Sequence, residues 1–230
     1  MKYYKVLGKG RMACNSGKGK WPRPGTWLEA KGPLAPCQNG LHLCRLGDLV
    51  SWLNEEIWEV EPAPGTETIV CDNKVVVRKA RLVKQIKEWN EKTARLFAAD
   101  CAEHVLSIYE KKYPDDDRPR NAIEAVRKYA NGKITREELD AVGDSAWAAA
   151  WAAVGDAVGT AARAAAWAAA GDSAWAAARD AVGDSAWAVA WNSAWAAVGD
   201  SAWDAARAAE GKWQTERQAY YLGIGVKEGA

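Results

Sequence analysis

The sequence predicts an α+β fold, with a small mixed α+β domain at residues 1–85 followed by an all-α domain at residues 86–230. Short strand-like runs between Pro- and Gly-rich loops fill the first part. Amphipathic helical patterns begin near residue 86. An Ala- and Trp-rich tetrapeptide repeat then occupies residues 143–209. These shifts in composition place the domain boundary at about residue 85.

The first domain is predicted from its β-rich segments and from one short helix. Leu46, Leu49 and Leu53 recur at helical spacing behind Asp48, which is expected to cap that helix at its N-terminus. The expected strands are residues 3–7, 57–61, 68–71 and 74–83.

The second domain is predicted to open with two amphipathic helices. The first follows the pattern from residue 86 and ends before Pro114, and the second stops at Gly132. Thr135 and Glu138 have the spacing of a capping box, which predicts the start of the helix that leads into the repeat.

The repeat has a period of four residues, in which a column of Ala or Val precedes a column of Trp, Arg or Gly. Ala favours helix over strand. Each column drifts by about 40° per repeat around a helix, so one long helix would leave most indoles in water. We therefore expect several helices. Some of the Gly-Asp pairs, which begin at residues 143, 155, 171, 183 and 199, should separate helices and others should lie inside them.

The Trp column has two interpretations. Its indoles either fill the core between helices, or line a groove where they stack on the rings of a ligand beside arginines of the same column. The candidate ligand-binding residues are Trp187, Trp191, Trp195, Arg163, Arg179 and Arg207.

Charge and composition limit the classes of binding partner that are expected. With 31 basic and 30 acidic residues, the chain has no net field to attract a nucleic-acid polymer or an anionic membrane. It has no apolar run long enough to span a bilayer and no recognisable signal peptide, so a cytoplasmic location is expected. Five cysteines are an odd number, which favours reduced thiols. No catalytic residue and no cofactor is predicted.

One cysteine-rich segment has the residue types of a metal site. Cys37, His42 and Cys44 lie close together in the sequence, and Cys14 precedes them, so these four residues are candidate zinc ligands. The alternative is a set of buried structural thiols, because a strand would also place His42 and Cys44 on one core-facing side.

Three other polar features also have a structural interpretation. The basic, Gly-rich segment 8–20 lacks the order of a phosphate-binding loop and is more typical of a flexible loop. The acidic run at 114–120 is either a cation site or a helix cap. His104 lies on the apolar stripe of its helix, which predicts a histidine satisfied within the core.

Several of these segments resemble a known family. The runs RLFAADCAEHVLSIYE, DDRPRNAIEAVRKYANGKIT and KWQTERQAYYL, with the Ala-rich middle, are similar to the immunity protein family of bacteria and phages over residues 94–222. The resemblance implies a protein that binds and neutralises a toxin. The segment CQNGLHLC resembles the Cys-x-x-Gly-Leu-His-x-Cys box of a second, phage-type domain.

Three functions follow as hypotheses. The first is a non-catalytic binding protein that neutralises a toxin or a host defence component. The second is a sponge that sequesters a nucleotide immune signal through stacked Trp and Arg side chains. The third is an ADP-ribosyl-transfer-like enzyme in the N-terminal domain that depends on His42. The self-complementary Ala/Trp face also predicts a homodimer or higher homo-oligomer.

Overall fold

The computed structural model describes residues 1–15, 17–152 and 203–224, and of residues 147, 149–152 and 203–207 it describes only the backbone. The chain forms two compact units, Met1–Asn90 and Glu91–Ala230. Antiparallel sheets make up the first, and the described part of the second is helical, which confirms the predicted α+β class. No helix within the described ranges is long and apolar enough to cross a bilayer.

Two antiparallel sheets build the N-terminal unit. One has the strand order β1-β4-β7-β2 and the other the order β3-β6-β5. The strands are β1 (Tyr3–Leu7), β2 (Leu28–Glu29), β3 (Leu41–Leu43), β4 (Glu56–Pro62), β5 (Thr68–Cys71), β6 (Lys74–Val77) and β7 (Lys79–Gln85). Their buried core consists of Leu7, Trp21, Leu43, Trp58, Val60, Val75, Val77, Ala80 and Leu82.

The expected strand at residues 74–83 is two strands that belong to different sheets. The chain changes sheet at Arg78, whose N–H donates to the Glu67 carbonyl at 3.0 Å. The Arg78 guanidinium also pairs with the Glu67 carboxylate and donates to the Gly32 carbonyl at 2.6 Å. Periodicity alone gives no sign of this break, because its cause is a set of contacts with distant loops.

The predicted helix behind Asp48 is a 3-10 helix, Leu46–Trp52, and Asp48 is not its N-cap. Arg45 occupies that position, and the Asp48 carboxylate accepts from the Arg45 backbone N–H at 2.8 Å and from its Nε at 2.7 Å. The carboxylate thus stabilises the start of the helix from inside the first turn.

The segment 86–90, expected to open the first long helix, instead contacts the sheets. The Ile86 N–H donates to the Ile57 carbonyl at 2.9 Å, and Trp89 Nε1 donates to the Asn54 carbonyl at 2.8 Å. The helical unit begins with α1 (Glu91–Lys112) and continues with α2 (Arg118–Ala130), α3 (Arg136–Ala152) and α4 (Trp203–Tyr221).

The end of α2 and the start of α3 follow the sequence signals. Gly132 has a left-handed φ of 67°, and its N–H closes α2 on the Tyr129 carbonyl at 2.8 Å. The capping box is confirmed: the Thr135 N–H donates to Glu138 at 2.7 Å, and the Glu138 N–H donates to Thr135 Oγ1 at 3.3 Å.

The repeat is described only at its two ends. Its first Gly-Asp pair, at Gly143, lies inside α3 rather than between helices, and Ala146 of the small-residue column is fully buried. The candidate residues Trp187, Trp191, Trp195, Arg163 and Arg179 lie outside the described residues. Arg207 belongs to α4, in the part where only the backbone is described.

Candidate functional site

The candidate site is the polar face that α4 presents to α1. Its members recur at intervals of three and four residues, so they share one side of the helix. On α4 they are Glu210, Trp213, Gln214, Arg217, Gln218 and Tyr221. Polar residues at positions where a core helix normally has apolar ones make this face unusual.

An ionic cluster joins α1, α2 and α4 around one carboxylate, and we define it as Asp100, Glu103, Arg127, Arg217 and Tyr221. Asp100 is buried and accepts from Arg127 Nη2 at 2.7 Å, Arg217 Nε at 2.6 Å and the Tyr221 hydroxyl at 2.5 Å. Arg127 also holds Glu103 in a two-pronged pair at 2.8 and 2.7 Å. Two carboxylates and two guanidinium groups balance in charge, which is how charged groups are tolerated away from water.

The pKa shifts agree with this arrangement. Burial, reinforced by the hydrogen bond to Asp100, raises the pKa of Tyr221. The hydrogen bond from Arg127 lowers the pKa of Glu103, and the same contact raises the pKa of Arg127. Tyr221 therefore keeps its proton and remains a donor, while the ion pair stays charged across the physiological range.

One turn along α1 from Asp100, the ring of His104 stacks on the ring of Trp213 from α4. Their rings lie 3.9 Å apart and within 12° of parallel, and His104 Nε2 lies 3.2 Å from Glu210 Oε2. Glu210 is buried and accepts from Gln214 at 2.8 Å. Burial raises the pKa of Glu210, whereas its contacts with Gln214 and His104 act in the opposite direction.

The prediction for His104 is wrong in one respect. The histidine is satisfied by Glu210, but its side chain is 39% exposed and does not belong to the core. The reason is that the apolar stripe of α1 ends against the polar face of α4, so the ring lies at the edge of the contact.

Part of this face reaches the surface, where Tyr220 of α4 lies beside it. Tyr220 is 44% exposed, Trp213 is half-buried, and the Arg217 guanidinium lies 5.0 Å from the Tyr220 ring centre. Partly exposed Trp, Tyr and Arg side chains on a rigid base are the residue types that dominate the energy of protein interfaces. The arrangement is suited to binding a surface.

The acidic run beside α2 is structural. Asp116 accepts from the Tyr109 hydroxyl at 2.6 Å and from Arg118 Nε at 2.8 Å. The contact with Arg118 lowers the pKa of Asp116, and burial raises the pKa of Tyr109 to about 12. These contacts join the end of α1 to the start of α2. The Asp116 carboxylate accepts hydrogen bonds from side chains of the protein itself.

The structure does not gather the four candidate zinc ligands into one site. Within the described ranges, no group of three His, Cys, Asp or Glu side chains is arranged to hold a metal ion. Cys37 is exposed, and its N–H donates to His42 Nε2 at 3.0 Å, while Cys44 is buried and Cys14 donates to the Val6 carbonyl. Lys5 Nζ donates to the His42 carbonyl at 2.9 Å, and burial lowers the pKa of Lys5 and raises the pKa of Cys44 to about 12.

His42 and the basic loop at residues 8–20 serve local structure. The two ring nitrogens of His42 contact the Cys37 N–H and, at 3.1 Å, the Gly40 carbonyl, so the ring holds a turn. In the loop, the Gly10 N–H donates to Glu56 at 2.7 Å and the Lys9 N–H donates to Glu55 at 2.5 Å. The backbone N–H groups of Lys9 and Gly10 thus donate to carboxylates of the protein itself. In a phosphate-binding loop, such groups would donate to the anion.

The sequence profile of the family described as Imm-5 like putative immunity protein matches residues 84–218. The match covers α1, α2 and α3 and most of α4, and it includes every residue of the polar face on α4 except Tyr221. The chain belongs to this family. A comparison with curated proteins and one with solved structures found no match.

Membership of this family indicates an immunity-type function, in which a protein partner is bound. Sequence reasoning overlooked the polar face because it used residues 212–222 only for the family resemblance. The signal was present in the recurrence of Glu210, Gln214 and Gln218 at intervals of four residues. Their burial, however, depends on α1.

Proposed function

We propose that this protein is a non-catalytic binding protein that neutralises a protein toxin or a host defence component. In this proposal the partner contacts the exposed part of the α1/α4 face, formed by His104, Trp213, Arg217 and Tyr220. The observation that supports it most strongly is the match of an immunity protein family to the helical unit that contains this face.

The geometry supports a preorganised surface. Arg217 is held by Asp100 at 2.6 Å, and His104 is held by Glu210 on one side and by the Trp213 ring on the other. Side chains that are already ordered lose little conformational entropy when a partner arrives. An inhibitor of a toxin needs tight binding, and preorganisation is one way to achieve it.

A growth-protection assay tests the proposal. Bacteria that express the chain are challenged with a panel of inducible antibacterial toxin domains and, separately, with anti-phage defence systems. We expect protection against at least one of them, with a stable complex detected by size-exclusion chromatography. Failure to protect against the whole panel, or protection that leaves a covalently altered toxin and no complex, would contradict a neutralising binder.

Matched variants locate the surface. Trp213→Ala and Tyr220→Ala should abolish protection while keeping the helical circular dichroism of the parent. Lys212→Ala serves as the control, because its side chain is 79% exposed and pairs with Glu216 on the same helix at 3.9 Å. If both aromatic variants protect as well as the parent, the α1/α4 face is not the binding surface.

The nucleotide sponge is a second candidate, and a different observation favours it. The Trp column of the repeat has indoles in three successive units, at Trp187, Trp191 and Trp195, with Arg163, Arg179 and Arg207 in the same column. Stacked indoles and arginines are typical of sites for nucleotide rings. Quenching of Trp fluorescence by cyclic nucleotides would support the sponge, and an unquenched spectrum would contradict it.

A further inference from the structure

The side chains of Cys37 and Lys74, both nucleophiles, are in direct contact in the N-terminal unit. They are distant in the sequence from the α1/α4 face. Lys74 Nζ lies 3.0 Å from Cys37 Sγ. Cys37 is exposed, whereas Lys74 is only 9% exposed. A small oxidant therefore has access to the thiol, while the amine beside it is confined.

Both residues are held in place by the fold. Cys37 has a left-handed φ of 66°, and its N–H donates to His42 Nε2 at 3.0 Å, so the thiol projects from a fixed turn. Lys74 begins β6, and its Nζ lies 5.0 Å from the centre of the Trp52 ring, which attracts the cation. The contact is thus constrained from both sides.

We propose that Cys37 and Lys74 form an oxidation site that closes a covalent sulfur–nitrogen bond when the protein meets a hydroperoxide. The Cys37 thiol is first oxidised to a sulfenic acid, and the peroxide is reduced to water or an alcohol. Sulfenic acids condense with neighbouring thiols or nitrogen atoms. Here the Lys74 nitrogen gives up its proton to solvent and attacks the sulfur, and the sulfur–oxygen bond breaks.

The atoms and electrons of this sequence balance. The thiol and amine together lose two hydrogens and two electrons, which the peroxide accepts, and the condensation releases the sulfenic oxygen as water. A thiol reductant reverses the reaction and restores both side chains. The crosslink would tie the turn at residues 37–40 to β6, and it is independent of the partner proposed above.

Peptide mapping by mass spectrometry tests the site on the full chain. After treatment with hydrogen peroxide, we expect the peptides that contain Cys37 and Lys74 to be joined and to weigh about 2 Da less than their sum. Trypsin should no longer cleave after Lys74, and dithiothreitol should restore both peptides. If Cys37 instead accumulates as oxygen adducts or remains reduced while Lys74 is cleaved normally, the proposal is wrong.

Cys71 provides a matched control because it pairs with Lys74 across the β5/β6 hairpin. A disulfide between Cys37 and Cys71 would show the same loss of mass. The crosslink should therefore persist in Cys71→Ser and disappear in Lys74→Arg, whose guanidinium keeps the charge without a nucleophilic amine. The opposite pattern would identify a disulfide and overturn the proposal. Should Lys74→Arg fold poorly, the Cys71→Ser variant and the loss of tryptic cleavage after Lys74 decide between the two crosslinks.

Discussion

Strand β6 of the N-terminal unit buries Val75, Val76 and Val77, whereas helix α4 of the second unit buries Glu210, Gln214 and Gln218. Strand β6 is therefore stabilised by the transfer of apolar surface from water, which is insensitive to pH. The α1/α4 contact depends instead on paired charges and hydrogen bonds, which stabilise only when every partner is present. The two units should respond differently to the same kind of change.

The largest loss of stability is expected when Asp100 is replaced. Asp100→Ala leaves Arg127, Arg217 and the Tyr221 hydroxyl without their shared acceptor. Removing one partner from a buried charge network costs about 3 to 5 kcal/mol. Urea denaturation followed by helical circular dichroism measures the change in free energy of unfolding.

The neighbouring Glu103→Ala is the control. Glu103 binds the same Arg127, but half of its side chain is exposed, so the expected loss is about 1 kcal/mol or less. If both variants unfold at the same urea concentration, the charges of this contact are not what stabilises it.

A steric change should act on the sheet unit. Gly40 has a φ of 127°, and a Cβ there would collide with the Val76 side chain. Gly40→Ala is expected to destabilise the N-terminal unit by about 1 to 3 kcal/mol through overpacking. Gly47→Ala is the control, because a Cβ at Gly47 meets nothing within 4 Å. Thermal unfolding followed by near-UV circular dichroism compares the two, and equal midpoints would contradict the packing argument.

Replacing a buried polar side chain on the polar face of α4 should stabilise the protein, whereas the changes above destabilise it. Among the described residues, Gln218 is fully buried and its side-chain Nε2 and Oε1 have no hydrogen-bond partner. An unsatisfied buried amide costs free energy, so Gln218→Met is expected to stabilise the helical unit by about 1 kcal/mol. Differential scanning calorimetry gives the shift, and a loss of stability would mean that the amide is satisfied in solution, for example by buried water.

The smallest expected effect is a change in pH dependence. Burial raises the folded-state pKa of Glu210, so this group stabilises the fold fully below its unfolded pKa and loses that contribution as pH rises through the folded pKa. Glu210→Gln should therefore flatten the fall in stability from acid towards neutral pH. Urea midpoints across that range measure it. An unchanged pH profile would show that the contact with His104 offsets the burial of the carboxylate.

The sequence alone determined what depends on local chemistry. Strand propensity and turn residues predicted β1, β4 and β5. The Thr135/Glu138 box and Gly132 predicted helix ends, since their hydrogen bonds involve residues only a few positions apart. The family was also evident from motifs that are continuous in the sequence. Each of these features is specified by residues that are neighbours in the chain.

Only the tertiary structure decided where polar and reactive groups meet. Arg217 and Tyr221 reach Asp100 across more than a hundred residues, and Lys74 meets Cys37 across 37. No periodicity reports such distant pairs, because a sequence pattern shows which face of an element is apolar but not which element covers it. For the same reason the closeness of Cys37, His42 and Cys44 in the sequence does not decide whether they share a metal site, and among the described residues no such group is found. The polar face of α4 likewise depends on contacts with α1 that the sequence does not show.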